Sequence, residues 1–482
     1  MPPKVFARDY LVFSYAVIDF AGPLRYNNLY GARGASFFME GEGMGIKVAK
    51  FGGSSLADAH QFEKVRAIIY ADPERAYVVP SAPGRRYDGD DKVTDLLYRC
   101  QRLHDQGKEY QEVFDLIAAR FMDIAEELGL SVDLLSALDE INEAISGGAT
   151  ADYAASRGEF LNGLLLADYL DMEFIDAAQV IFFKADGTFD SEKTQEVLSA
   201  RLMESKRAVI PGFYGALPDG RIRTFSRGGS DISGAIVARA ACAEVYENWT
   251  DVSGFLMADP RVVPGSKQIE SITYQELREL SYMGATVLHE DSVFPVHRAG
   301  ITTNIRNTNC PEHPGTSIRF GAVEKENPYV ITGIAGKKGF SVITVEKAMM
   351  NTEVGFARRV LQALEEQHLS FEHMPTGIDT LCVVVNRDAL AACRDAVVNR
   401  MVELAEPDTI TIHDSMAVIA TVGRGMVHNC GTAARLFGAM SRAGINVRMI
   451  DQGSSELSIM VGVDDSDFEQ TIRAIYHEFV HE

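Results

Sequence analysis

Lys50 stands directly before Gly52, Gly53, Ser54 and Ser55. Glycines there let backbone N–H groups approach an anion, and a helix opening at that point adds its positive end. The lysine ammonium supplies a full charge beside them. The chemistry is that of a phosphate cradle, although a tight strand-to-helix turn alone would read the same way. It is not the P-loop, since no G-x-x-x-x-G-K-[ST] occurs, nor the dinucleotide fingerprint G-x-G-x-x-G. A second constellation, T-F-S-R-G-G-S-D at 224–231, sets Arg227 in a glycine turn aimed at a helix start. Its planar fork suits a carboxylate or phosphate. Ser230 or Asp231 is a natural N-cap there. In a third, A-S-R-G-E-F-L-N-G at 155–163, Glu159 falls in the first turn of a helix. Either the helix dipole accounts for it, or the carboxylate holds an amino group. The stretch 249–267, W-T-D-V-S-G-F-L-M-A-D-P-R-V-V-P-G-S-K, is a long, turn-rich loop after a buried strand. Ligands bind in such loops of α/β sheets. Arg261 and Lys267 are its cations, with a solvated surface charge as the alternative for each. His289, His297 and His313 are spaced too irregularly for a metal site, and none of the six cysteines forms a C-x-x-C pair.

The elements that must position these residues alternate. Residues 46–51 read as a strand that stops at the glycines, and Leu56, Phe62, Val65 and Ile69 then share one helical face. Further strands are predicted at 76–82, 179–183, 208–213, 244–249 and 301–306. Helices are predicted at 93–103, 111–128 and 157–170, and another is opened by a capping box from Thr273 to Glu276. Strands alternating with helices imply an α/β fold with a mainly parallel sheet covered on both faces. The length of 482 residues suggests about three units. Composition is globular, with 46% hydrophobic and 24% charged residues. A net charge of −22 argues against non-specific nucleic-acid binding. No apolar run reaches the ~18–20 residues of a membrane helix, and scattered thiols fit a cytoplasmic protein. Residues 1–43 read as an extension, disordered or produced by a mis-assigned start. A start at Met44 would explain it, because the fold signal begins two residues later.

Beyond 325 the chain repeats itself. G-F-A-R-R-V-L-Q-A-L from Gly355 lies over G-T-A-A-R-L-F-G-A-M from Gly431 at an offset of 76, with no gap. Arg359 falls on Arg435, Gly377 on Gly453 and Leu381 on Leu457. Two copies are too few for a solenoid. They suggest either a duplicated packing unit or a paired small-molecule sensor.

Taken together and in this order, K-F-G-G-S-S, S-R-G-E, F-S-R-G-G-S-D, W-T-D-V-x-G and D-P-R-x-V resemble aspartate kinase, over about 45–482. The repeated tail resembles that family's tandem ACT domains, and M-S-R-A-G-I-N-V-R-M-I-D-Q-G-S-S-E at 440–456 is especially close to the second. The resemblance implies a three-layer α/β/α amino-acid-kinase domain at 44–325. Two ferredoxin-like ACT domains at 326–412 and 413–482 follow, with the last strand returning to the first of them. It implies phosphorylation of the L-aspartate side-chain carboxylate by ATP, with Mg²⁺ on the phosphates, opening the route to lysine, threonine and methionine. Lys50 would contact the transferred group, organised by Asp231, and Phe51, Gly52 and Gly53 would border the phosphates. Ser81, Thr94, Glu159, Arg227 and Ser230 would hold aspartate, with Arg227 on its α-carboxylate and Glu159 on its amino group. Thr250, Asp251, Arg261 and Lys267 match the nucleotide side. Lysine, threonine or both would bind near Met350, Gly355, Phe356, Ser370 and Glu372, in a homodimer or larger homo-oligomer joined through ACT domains.

The charged stretch G-R-R-Y-D-G-D-D-K at 84–92 is extra relative to the family pattern and stands between Ser81 and Thr94. Two other readings compete: a different amino-acid-family kinase, and a non-catalytic amino-acid sensor. Aspartate-dependent ADP release separates all three.

Overall fold

The structure is a computed structural model that describes residues 45–226, 228–284, 290–320, 328–427 and 429–480. The extension predicted at 1–43 lies outside them.

The first sheet holds eight strands. They are β1 (Lys47–Phe51), β2 (Arg75–Pro80), β3 (Glu173–Phe174), β4 (Ala208–Val209), β7 (Val245–Thr250), β8 (Ser271–Thr273), β9 (Thr302–Asn307) and β10 (Thr316–Arg319). A separate hairpin joins β5 (Tyr214–Ala216) to β6 (Ile222–Thr224). The sheet order is β3-β4-β2-β1-β7-β9-β10-β8, and every pair is parallel except β9 with β10. The period of two explains its layers. Val48, Tyr77 and Val79 enter one core with the helices Ser191–Glu204 and Gly229–Ala240. Ala49, Phe51 and Val78 enter another with the helices Ala59–Tyr70 and Ala151–Leu170. The strand predicted at 179–183 is instead a short helix, Ala177–Val180, followed by isolated bridges from Phe182 and Phe183. Asp176 accepts a hydrogen bond from the Ala178 N–H and starts that turn. The apolar run is buried either way, so periodicity alone does not choose.

A second sheet follows, antiparallel and six-stranded. Its strands are β11 (Gly333–Glu346), β12 (Phe371–His373), β13 (Thr380–Asn386), β14 (Thr409–Val422), β15 (Met449–Asp451) and β16 (Ser458–Asp464). The order is β12-β13-β11-β14-β16-β15. β11 and β14, 14 residues each, run the length of both halves. Phe340–Glu346 of β11 pairs with β13, and Met416–Val422 of β14 pairs with β16. Gly339 and Ser415, both at positive φ, sit between the two halves. The return of a C-terminal strand to the first unit does not occur among the described residues. The chain's last described element is the helix Phe468–Val480. Gly333–Lys337, at the start of β11, lies instead beside Val418–Val422 and completes the second half. One long strand can serve both units, which removes the need for a returning one.

Candidate active site

The glycine cradle sits at the C-terminal ends of β1, β2 and β7. Lys50 and Phe51 close β1, the Gly52 N–H donates to the Trp249 carbonyl at 2.9 Å, and a 3-10 turn, Gly53–Leu56, follows. A Cβ on Gly53 would lie 2.8 Å from the Ala82 carbonyl oxygen, so this position requires glycine. The Gly84 N–H donates to the Gly53 carbonyl at 2.8 Å, and Ser55 Oγ meets Thr308 Oγ1 at 2.7 Å.

Lys50 Nζ lies 2.5 Å from Asp231 Oδ1. Asn248 is in register with Lys50 across β1 and β7, and its Nδ2 donates to the same oxygen at 2.9 Å. Lys50 is only 7% exposed, so the ion pair fixes its ammonium. Neither Ser230 nor Asp231 caps the helix Gly229–Ala240. The N-cap is Gly228 at φ 70°, which carries both residues into the first turn and turns Asp231 toward Lys50. Arg227 lies outside the described residues.

Glu159 is not in a first turn either. Thr150 Oγ1 accepts from the Tyr153 N–H and starts the helix at Ala151, so Glu159 sits mid-helix, beyond the dipole's reach. It is 5% exposed. Ser230 Oγ bonds Oε1 of this carboxyl at 3.5 Å, while Oε2 has no partner. Burial pushes it up to about 8. A buried carboxyl with an open oxygen is a receptor for a cation or a strong donor. Ser81 links the pieces: its N–H donates to the Phe51 carbonyl at 3.0 Å, and its carbonyl accepts from Asn162 Nδ2 at 2.6 Å. Thr94 lies in the first turn of the helix Val93–Asp105, whose Val93 N–H reaches the Pro83 carbonyl.

The loop after β7 bounds a cavity of about 700 Å³, lined on one side by Asp251, Leu256 and Arg261 and on the other by Gly336, Phe468 and Ile472 of the second sheet's module. Thr250 ends β7 and its hydroxyl donates to Asp251. Arg261 is paired with Asp259 at the surface. Lys267 is not in this group. It lines a neighbouring cavity, with its ammonium against the Tyr329 hydroxyl.

The residues expected to hold an effector gather at the first half of the repeat. Met350 and Phe356 are buried, Gly355 caps the helix Phe356–Glu365 at φ 84°, and Ser370 is exposed. Glu372 accepts a hydrogen bond from the Tyr282 hydroxyl, at the end of the helix Tyr274–Tyr282 beside the first sheet. The capping-box glutamate of that same helix, Glu276, is fully buried. It accepts from Thr332 Oγ1 at 2.6 Å and the Arg424 N–H at 3.0 Å as well as from Thr273.

Sequence reasoning missed Asn248, Asn162, Arg120 and Asp90. An asparagine amid the buried residues of β7 was a usable signal, because strands disfavour it without a partner. The others act through contacts distant in sequence.

Comparison with known proteins agrees with this geometry. The profile of the Amino acid kinase family matches residues 45–307, and that of the ACT domain matches 419–479. Aspartokinase 3 of Bacillus subtilis is 38% identical over 449 residues, covering 90% of this chain and 98% of that protein. The crystal structure of Clostridium acetobutylicum aspartate kinase superposes with a TM-score of 0.84 at 50% identity, covering 90% of this chain and all of that one. Escherichia coli aspartokinase III, 26% identical, matches with TM-scores of 0.67 in complex with aspartate and ADP (R-state) and 0.68 in complex with lysine and aspartate (T-state). These structures cover 91% and 90% of this chain, and 100% and 99% of their own. The chain belongs to the amino acid kinase family and, within it, to the aspartokinases.

Proposed function

We propose that the chain transfers the γ-phosphoryl group of ATP to the side-chain carboxylate of L-aspartate, giving 4-phospho-L-aspartate and ADP. This is the first committed step toward lysine, threonine and methionine. The observation that carries the reading is the buried Lys50–Asp231 pair at the glycine cradle, with Glu159 held to Ser230 beside it. The nucleophile is the substrate's own carboxylate, ionised at neutral pH, so no general base is required. Catalysis then rests on orientation and on neutralising charge at the transferred group. Lys50 supplies the cation, Asp231 and Asn248 hold it in place, and the Gly53 amide borders the phosphates, the Gly52 N–H being taken by the Trp249 carbonyl. Glu159 receives the α-ammonium and Arg227 the α-carboxylate, with Ser81, Thr94 and Ser230 completing the substrate side. Thr250, Asp251 and Arg261 form the nucleotide side, and Lys267 belongs to its neighbouring wall.

Mg²⁺ fits as an ion carried on the nucleotide. No group of three His, Cys, Asp or Glu that could hold a metal exists among the described residues, and Mg²⁺ is ordinarily held by one or two carboxylates plus phosphates. Asp231 and Asp251 could each supply one carboxylate oxygen, and the ion would neutralise phosphate charge.

Lysine, alone or with threonine, is the proposed inhibitor. The helix Tyr274–Tyr282 is its mechanical link to the kinase. Leu280 on this helix lines the nucleotide-side cavity, Glu276 is bound to Thr332 and Arg424, and Tyr282 is bound to Glu372. An effector ammonium at Glu372 would compete with the Tyr282 hydroxyl and release that end. Coupling of about 1.4 kcal/mol suffices for tenfold inhibition. Val354, Ile378, Met349 and Phe371, all exposed around the first half, support a homodimer or larger assembly through this face. Six unpaired cysteines support a cytoplasmic setting. The test is ADP release by purified protein with L-aspartate, against L-glutamate and N-acetylglutamate. Release dependent on aspartate alone supports the reading, and release with another acceptor overturns it.

A further inference from the structure

The extra stretch at 84–92 is tied into the cradle. Asp90, 9% exposed, accepts from the Arg86 backbone N–H and Nε at 3.0 Å each and from Arg120 at 2.7 Å. Arg120, 5% exposed, projects from the helix Gln111–Leu128, and its other nitrogen donates to the Gly84 carbonyl at 3.1 Å. Gly84 in turn donates to Gly53, and a Cβ on Gly84 would lie 2.6 Å from the Gly53 carbonyl carbon. Two residues before Gly84, Ala82 packs on the helix of Glu159, where a Cβ on Gly158 would lie 2.8 Å from the Ala82 Cβ, and the Ser81 carbonyl accepts from Asn162 of that helix at 2.6 Å. One guanidinium therefore fastens both ends of the charged stretch, at a point one hydrogen bond from the phosphate cradle and two residues from the packing contact on the Glu159 helix.

We propose that Arg120, clasped by Asp90, is a positioning residue for phosphoryl transfer, holding the 81–92 loop so that Gly53 and Glu159 keep their places. This rests on the aspartate-kinase reading above. A guanidinium is suited to the task because its rigid fork serves two acceptors at once, whereas a lysine ammonium is a single point charge. Removing one partner of a buried ion pair is destabilising whatever the pair does in the site, so a loss of thermal stability alone says nothing of positioning. The two roles, fold staple and positioning device, therefore separate experimentally. A staple moves thermal stability and the active fraction. A positioning residue moves KM and kcat of the fully folded enzyme.

The experiment measures kcat, KM for aspartate and ATP, and thermal midpoint for wild type, Arg120→Lys, Arg120→Met and Asp90→Asn, with circular dichroism as the check on folding. Arg120→Met is expected to raise the aspartate KM and lower kcat by on the order of 10-fold each. Arg120→Lys should recover only part of this loss. Asp90→Asn should fall between wild type and Arg120→Met, and adding it to Arg120→Met should cost little more. Should Arg120→Met fail to fold, Asp90→Asn and Arg120→Lys carry the decision. Kinetic constants within twofold of wild type in the folded variants overturn the proposal, whatever the thermal midpoint does. A wild type without aspartate-dependent ADP release overturns the functional reading itself and the clasp with it. An active wild type with indifferent variants overturns the clasp alone.

Discussion

The two halves of the C-terminal repeat are alike in sequence and unlike in what they pack on. In the first half, Ile343, Val345, Phe356, Val360 and Leu381 close a core of their own. In the second, Val418, Leu436, Ile459 and Ile475 join a core continuous with Met257, Leu277 and Leu280 of the kinase. The first half meets the helix Tyr274–Tyr282 through a polar contact, Tyr282 to Glu372. Packed cores do not slide by small amounts, whereas a surface hydrogen bond is exchangeable for about 0.5–1.5 kcal/mol. The second half is thus packed into the body of the molecule, and the proposed effector residues lie on the first half, which has a core of its own.

The comparison breaks most visibly in the cores. Leu436 and Val360 occupy equivalent positions, 76 residues apart, and both are fully buried. Leu436→Ala should cost about 2–5 kcal/mol and take kinase activity with it on mild heating. Val360→Ala should cost less and spare the kinase, its loss showing first in effector inhibition. Thermal unfolding monitored alongside activity decides it, and equal loss of activity in both variants would erase the distinction.

Glu159 is buried and held up at about 8, so below that pH the empty site carries a proton. Its native-state contribution to stability is full below the ordinary glutamate range and is lost as pH rises through about 8. Receiving an ammonium requires the ionised form. Aspartate binding at pH 7 should therefore release close to one proton, and affinity should rise with pH up to about 8. Calorimetry in two buffers of different ionisation enthalpy measures that proton. Glu159→Gln should abolish the release and raise the aspartate KM by on the order of 10-fold or more, with ATP binding nearly unchanged.

The smallest expected effect sharpens the regulatory side. Tyr282→Phe removes only the hydroxyl that competes for Glu372, and the lysine concentration for half-inhibition should fall a few-fold. Glu372→Ala should raise it. Inhibition curves that coincide for wild type and Tyr282→Phe would remove Tyr282 from the link.

The fold's main elements and the glycine cradle are legible in the sequence. Lys50, Gly52 and Gly53 announce themselves by local chemistry, and the repeat by its constant offset. Glu159 reads as a first-turn residue, whereas its helix starts at Ala151, because the capping Thr150 looks like any threonine. The same holds for Asp231, whose partner is 181 positions away in the chain and adjacent only through the sheet. Asn248 and Arg120 act through register and loop closure, which periodicity does not encode. The strand shared between the two repeat halves escaped because β11 reads as one strand in either topology.

In the proposed reaction Lys50 is the cation at the transferred phosphoryl group, held by Asp231. The direct measurement is a double-mutant cycle in kcat across Lys50→Ala, Asp231→Ala and the pair. Lys50→Ala is expected to lower kcat by a factor on the order of 10² or more with a milder change in KM, and the double variant should be scarcely worse than Lys50→Ala alone. A kcat for Lys50→Ala within a few-fold of wild type, or costs that simply multiply in the double variant, would contradict it.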